Sequence, residues 1–234
     1  MQEPTRKTIR DPEATKRRIL DTAEKEFAEH GLTGARVETI AKRTDTNVRM
    51  IYYYFASKTG LYSAVIERAY GRMRATEQEL ALDTLAPIKA IRRLTEFTFD
   101  YQAVHPEFVR LVAIENIHHA EHLRELPPIR AMNASVIETI SAILERGKRA
   151  GVFRADAEPI GVHLLITALC FFRVANRYTL RTIFPIDPLD PSLHDSHRRM
   201  LVDAVLGYLG SGAIPVLQAG PVSAGDLECP INRS

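Results

Sequence analysis

The chain has 234 residues, 45% apolar and 26% charged, with a net charge of +2; this is globular composition, long enough for one or two domains with a buried core. The longest apolar run, Leu164 to Phe172, is half what a bilayer crossing needs, and no apolar N-terminal segment reads as a signal peptide, so no membrane partner and a cytoplasmic location are expected. Cys170 and Cys229 have neither disulfide-framework nor metal-ligand spacing, which argues against a secreted, cross-linked scaffold.

Charge is unevenly spread. Residues 1–60 hold 12 basic and 9 acidic side chains, whereas the remainder hold 19 and 20. The excess begins in a basic arm over residues 1–12 and continues just beyond it, with Arg6, Lys7, Arg10, Lys16, Arg17 and Arg18 against Glu3, Asp11 and Glu13. Such an arm suits a phosphate backbone, and equally a solvated tail.

The rest reads as helices. Asp11-Pro12-Glu13 is a helix start, with an N-cap, a proline at the first position and an acid at the positive end. Ile19, Ala23 and Phe27 follow on one face, and Gly31 ends this helix. A short helix is expected from Val37 to Thr44, and another from an Asn47 cap with Ile51 and Phe55 turned inward. Ser57 caps a longer helix from Lys58 to near Leu82. Further helices are expected over 87–104, 106–123, 127–150, 158–181 and 191–209, each break marked by Pro or Gly. No strand is expected. Residues 210–234 are Pro/Gly-punctuated and predict little regular structure.

The stretch from Val37 to Phe55 has the spacing of a helix-turn-helix. Ile40 and Ala41 pack the first helix on the second, and small Ala41 allows close approach. The turn at Asp45-Thr46 is short, and Asp tolerates the left-handed conformation such a turn often needs. Asn47, Val48, Arg49, Tyr52 and Tyr53 are then expected outside. Three consecutive tyrosines cannot share one buried face at about 100° per residue. Tyrosines beside Arg49 suit phosphate oxygens and thymine methyls. A short helical hairpin without DNA affinity is the alternative these residues leave open.

Gly31, Val37, Ile40-Ala41, Tyr52-Tyr53-Tyr54-Phe55, Ser57-Lys58 and Leu61-Tyr62 together resemble the DNA-binding domain of the TetR/AcrR family of regulators, over residues 14–65. The resemblance implies an all-α homodimer. A three-helix helix-turn-helix domain (13–58) would be joined to a C-terminal helical bundle (59–209) for ligand binding and dimerisation. It implies a double-stranded operator as partner, a recognition helix over Asn47 to Phe55 with Thr46, Asn47, Val48, Arg49, Tyr52, Tyr53 and Tyr54 as the candidate DNA contacts, and phosphate contacts from Lys58 and Arg36. The sequence departs from the family pattern at Asp45, Thr46, Asn47, Val48 and Arg49, so the operator is its own. Arg49 is the expected guanine reader, and Val48 is the candidate for a thymine methyl.

In the bundle, Phe97, Tyr101, Phe108, Ile114, His118, Phe171, Phe172 and Asn176 are candidate effector contacts, since aromatic groups with a few polar ones fit a small, partly aromatic ligand. The run Ala113-Ile-Glu-Asn-Ile-His118 is also similar to family members that regulate aromatic and N-heterocycle breakdown. No cofactor is expected. Glu115, His118, His119 and His122 would pair at i, i+4 on a continuous helix, a spacing that can hold a divalent metal but also arises by chance on solvated helices; with no third and fourth ligands fixed by spacing, no metal site is expected. A metal-dependent enzyme, or a protein-interaction module, is the alternative to a ligand-released repressor.

Overall fold

A computed structural model of the protein describes residues 11–210. The basic arm's residues 1–10 and the tail from 211 onward lie outside the described residues. The described chain is all-α, with helices α1 (Pro12–Gly34), α2 (Val37–Arg43), α3 (Val48–Phe55), α4 (Lys58–Gln78), α5 (Pro87–Val104), α6 (Pro106–Ile117), α7 (Pro127–Arg149), α8 (Pro159–Ala175), α9 (Arg177–Ile183) and α10 (Pro191–Leu209). Among the described residues no strand forms, and one isolated bridge joins Phe153 to Gly210.

Local chemistry sets the starts. Asp11, Asn47, Ser57 and Asp190 each accept a backbone N–H of the first turn, which satisfies a donor the helix cannot. The capping oxygens of Asn47 and Ser57 lie 2.8 and 2.9 Å from the N–H donors of Met50 and Gly60. Pro opens α1, α5, α6, α7, α8 and α10, where its missing N–H costs nothing. Gly31 takes φ 65° and kinks α1, which then completes one more turn to Gly34.

Three expected boundaries move. Helix α4 stops at Gln78, and a 3₁₀ turn at Leu82–Thr84 leads into α5. The helix expected over 106–123 stops at Ile117, because His119 and Ala120 adopt φ 56° and 57° and reverse the chain. The helix expected over 158–181 breaks at Asn176 into α8 and α9, bent by 67°. Among the described residues no single helix is long and apolar enough to cross a membrane.

One apolar core joins α1, α2, α3 and the start of α4, and reaches Leu111 of α6 and Ile129 of α7. A second fills the bundle of α5, α7, α8 and α10, through Ile91, Leu94, Phe99, Ile140, Leu144, Ile166 and Val205. The α1–α4 junction is also latched by charge. Buried Glu24 of α1 accepts from Arg68 at 3.1 Å and from Arg72, while Asp21 lies 2.8 Å from Arg68. Helix α4 contributes Leu61 to Ile66 to the first core and Ala69 and Met73 to a third cluster with Tyr101 of α5, Phe108 of α6 and Val174 of α8.

Candidate functional site

The first three helices present one face outward. On α2, Val37, Ile40 and Ala41 are buried; on α3, Ile51 and Phe55 are. The crossing between them depends on Asp45, which takes φ 48° as a left-handed turn residue, and on the Thr44 hydroxyl, which donates to the Ile40 carbonyl at 2.8 Å. The α2 end is tied to α1 by buried Glu26. Its carboxylate accepts the Arg36 backbone N–H at 3.2 Å and the Arg43 guanidinium at 3.3 Å. Sequence reasoning passed over Glu26, which a surface acid on an amphipathic helix resembles until its two partners are placed.

Arg49, Tyr52 and Tyr53 stand in solvent on α3, the two tyrosines 41% and 78% exposed. Asn47 is exposed with its side chain committed to the cap, and Thr46 is half-buried. Tyr54 is half-buried against the first core, its ring centroid 5.4 Å from that of Tyr53 in an edge-to-face pair. Val48, expected outside, is instead half-buried against that core. The reason is periodic: positions 48, 51 and 55 share one helical face. Met50, which lies off that face, is the exposed apolar side chain, and sequence reading missed it.

The flanks of this face are basic. Arg36 is exposed at the start of α2. Lys58 opens α4 and donates to the Thr33 carbonyl at 3.1 Å, across the end of α1. Gly60 permits the tight α3–α4 corner, since a Cβ there would lie 2.1 Å from the Phe55 carbonyl oxygen.

Beneath this domain, Glu115 is a buried structural acceptor. It is 1% exposed. It accepts the Tyr62 hydroxyl at 2.9 Å and faces His122 Nδ1 at 3.1 Å. The backbone N–H groups of His122 and Leu123 also donate to it, both at 3.2 Å. The reversal at 119–120 swings His122 back onto Glu115 and leaves His118 and His119 in solvent. The i, i+4 ligand pairs required a helix that has already ended. Among the described residues no three His, Cys, Asp or Glu side chains group as a metal site would need.

The candidate effector residues divide among three places. Phe97, Tyr101, Phe108 and Phe171 meet in one aromatic cluster with Met73 and Tyr70, where Tyr101 and Phe97 rings are 5.4 Å apart. Ile114 and His118 line a cleft between α1, α6 and α9. Phe172 faces solvent from α8, and Asn176 ends that helix, donating to the Phe172 carbonyl at 3.2 Å.

Sequence reading also missed a buried polar group in the bundle. Arg74 and Glu77 of α4 lie 2.7 Å apart and are nearly inaccessible. Arg74 Nε and Gln102 Oε1 are buried without a hydrogen-bond partner among the described residues. Thr98, His163 and Thr167 line the same small void, about 10 Å³, as the ion pair. Burial raises the Glu77 carboxyl above its ordinary pKa, and Arg74 opposes the shift. Burial lowers the His163 imidazole, and Arg74 lowers it further. Helical spacing gives no sign of this group, because Arg74 and Glu77 read as an ordinary i, i+3 surface pair.

Residues 19–65 match the family model for bacterial regulatory proteins of the tetR family, and residues 87–205 match the tetracyclin repressor-like C-terminal domain. The chain is 39% identical over 189 residues to the HTH-type transcriptional repressor NicS of Pseudomonas putida, covering 80% of this chain and 89% of that protein. It is 31% identical over 157 residues to the HTH-type transcriptional repressor SCO4008 of Streptomyces coelicolor, covering 67% and 77%. Among solved structures it is similar to the putative transcriptional regulator SCO4942 of Streptomyces coelicolor, with a TM-score of 0.62 at 27% identity over 83% of this chain and 98% of that one. The KstR2 regulator of Mycobacterium tuberculosis shares the fold, with a TM-score of 0.65 at 21% identity over 84% and 95%. These proteins are regulators rather than enzymes. An outward recognition helix on a helix-turn-helix, joined to a separate helical bundle and matched by both family models, makes this chain a member of the TetR family, a DNA-binding, ligand-responsive transcriptional repressor.

Proposed function

We propose that the protein works as a homodimer on a palindromic operator and is released by a small aromatic or N-heterocyclic effector. The operator reading is carried by α3, whose Arg49, Tyr52 and Tyr53 project from a helix held from behind by Ile51 and Phe55. Arg49 is placed as the guanine reader, with Met50 and Val48 as rival thymine-methyl contacts. Tyr52, Tyr53, Tyr54, Thr46 and Asn47 border the groove, and Arg36 and Lys58 meet phosphates. The DNA-binding domain is taken as 13–58 and the effector domain as 59–209, with the cytoplasm as the compartment.

Dimerisation is supported by α8 and α10. Ile160, Leu164 and Phe172 are exposed at i, i+4 and i+12 on α8, and Met200 and Tyr208 are exposed on α10. A monomer leaves this apolar stripe in water, whereas a two-fold partner covers it and sets two recognition helices in successive major grooves.

The effector site is placed inside the bundle, where the Arg74–Glu77 pair and His163 line a small void together with Met73, a member of the cluster that holds Tyr101 and Phe108. Buried polar atoms without partners are costly, and a ligand that hydrogen-bonds them would recover that cost. Titration of the dimer with its own upstream intergenic DNA, with and without candidate aromatic effectors, tests the reading. Binding that never becomes sequence-specific at any salt concentration would end it.

A further inference from the structure

A cleft of 760 Å³ lies at the edge of the contact between α1 and α6 and extends to the α8–α9 bend. That is within the roughly 300–1,000 Å³ typical of small-molecule sites. None of its lining residues belongs to the Arg74–Glu77 group, so it is a separate space.

Its walls combine apolar surface with unengaged charge. Ile117 and Tyr178 border the cleft and are 72% and 65% exposed, and Ile114 lies on the same wall as Ile117. Lys25 projects from α1 and Arg110 from α6, and neither makes an ion pair or hydrogen bond among the described residues. Glu29 and Glu107 also line the space. Two free cations beside an apolar floor favour an organic anion, and an arginine fork suits a carboxylate. The two carboxylates already present repel a second negative charge.

We propose that this cleft is a second ligand site, for an amphiphilic organic monoanion, with its apolar body on Ile114, Ile117 and Tyr178 and its acid group between Arg110 and Lys25. The position has a consequence for DNA binding. The cleft touches Gly31, where α1 kinks, and His118, which begins the reversed turn at 119–120. An occupant therefore braces α1 against α6 at the edge of their contact, independently of the bundle interior. The inference goes beyond the effector reading and adds a second input to it.

The test uses the full-length protein and the fluorescent monoanion 8-anilinonaphthalene-1-sulfonate, with linear and aromatic monocarboxylates as competitors. Saturable binding, displaced by the monocarboxylates, is expected. Arg110→Gln and the cleft-filling Ile114→Trp should each weaken it by about tenfold. Glu107→Gln should tighten it, because it removes a repelling charge. Arg74→Met/Glu77→Leu should leave it unchanged. Thermal melting and gel shift on the same variants read folding and DNA binding separately, so loss of the regulator reading is distinguishable from loss of this one. Absence of saturable binding, cleft variants that bind like wild type, or loss confined to Arg74→Met/Glu77→Leu would each overturn the proposal.

Discussion

The Tyr62 hydroxyl donates to Glu115 across the boundary between the helix-turn-helix core and α6, at 2.9 Å. The same tyrosine ring stands edge-on to Phe27 of α1 at 5.0 Å and to His122 at 5.1 Å. Burial raises the Tyr62 hydroxyl pKa, and the Glu115 hydrogen bond and charge raise it further. The hydroxyl therefore stays a donor throughout the working pH range. One buried carboxylate thus holds α4 and the reversed turn together.

Removing the hydroxyl with Tyr62→Phe leaves Glu115 with its His122 and Leu123 partners and costs about 1–2 kcal/mol. Glu115→Ala removes the acceptor that the Tyr62 hydroxyl, the His122 ring and two backbone N–H groups share, and costs more, about 3 kcal/mol or above. Tyr62→Phe should also reduce how strongly an effector changes operator affinity, since this contact joins α4 to α6 beneath the helix-turn-helix. Urea unfolding measures the first effect, and operator titration with and without effector the second. Full effector response in Tyr62→Phe would remove this contact from the coupling.

On DNA, Arg49→Ala should relax preference at one base position, by about 1–3 kcal/mol of discrimination. Lys58→Ala should weaken binding to all sequences and lower the salt slope by about one. Losing the Lys58 bond to Thr33 leaves a carbonyl at the exposed end of α1, where water replaces it. Competition gel shifts over a salt series separate the two. Wild-type behaviour in both variants would mean the docking is wrong.

Gly60→Ala should destabilise the protein by about 1–3 kcal/mol, because the new Cβ meets backbone rather than a movable side chain. Its effect should fall on DNA affinity as well, through the α3–α4 corner. Thermal melting reads the first, and a melting temperature equal to wild type contradicts the packing.

Arg74→Met alone strands Glu77 in the core and should cost about 3–5 kcal/mol, whereas Arg74→Met/Glu77→Leu should recover most of it. The double variant should still bind operator and should lose its response to effector. Chemical denaturation and an effector titration decide both parts. Retained effector response in the stable double variant would move the effector away from α4.

Acid should loosen the bundle. The His163 and His105 pKa values are both lowered below 6.5, chiefly by burial. Their contribution is complete above 6.5, where both folded and unfolded forms are neutral. It is lost as pH falls from 6.5 through the lowered native values. Glu77 has the opposite sign: its raised pKa favours the folded state as pH falls toward 4.5, which offsets part of the loss at the acid end. Melting temperatures from pH 7.5 to 5.5 should therefore fall, and His163→Gln should flatten the slope. An unchanged slope in that variant would show that His163 does not carry it.

Much of the molecule is local chemistry and could be read from the chain. Asp11, Asn47 and Ser57 cap, proline opens helices, and Asp45 turns left-handed, because each of these is settled by a few neighbouring residues. The helix-turn-helix was legible for the same reason, down to Ile51 and Phe55 facing inward and Tyr53 outward. The inward turn of Val48 is equally local, since its periodicity with 51 and 55 lies in the sequence.

What only the tertiary structure decided is which distant side chains meet. Glu115 shares a helical face with His119 on an unbroken helix and becomes the buried acceptor of Tyr62 once the chain reverses at 119–120. Arg74 and Glu77 read as surface charges until α5, α7 and α8 close over them. The aromatic residues taken as one site separate into a core cluster, a cleft and an outer face. Helical periodicity says which side of a helix is apolar, but the burial of a charge depends on what packs against that side. The sequence by itself therefore determined the DNA-binding end of this protein, whose logic is short-range. Three-dimensional packing decided the effector end, where the informative groups are 20 to 90 residues apart (Arg74 to His163, for example).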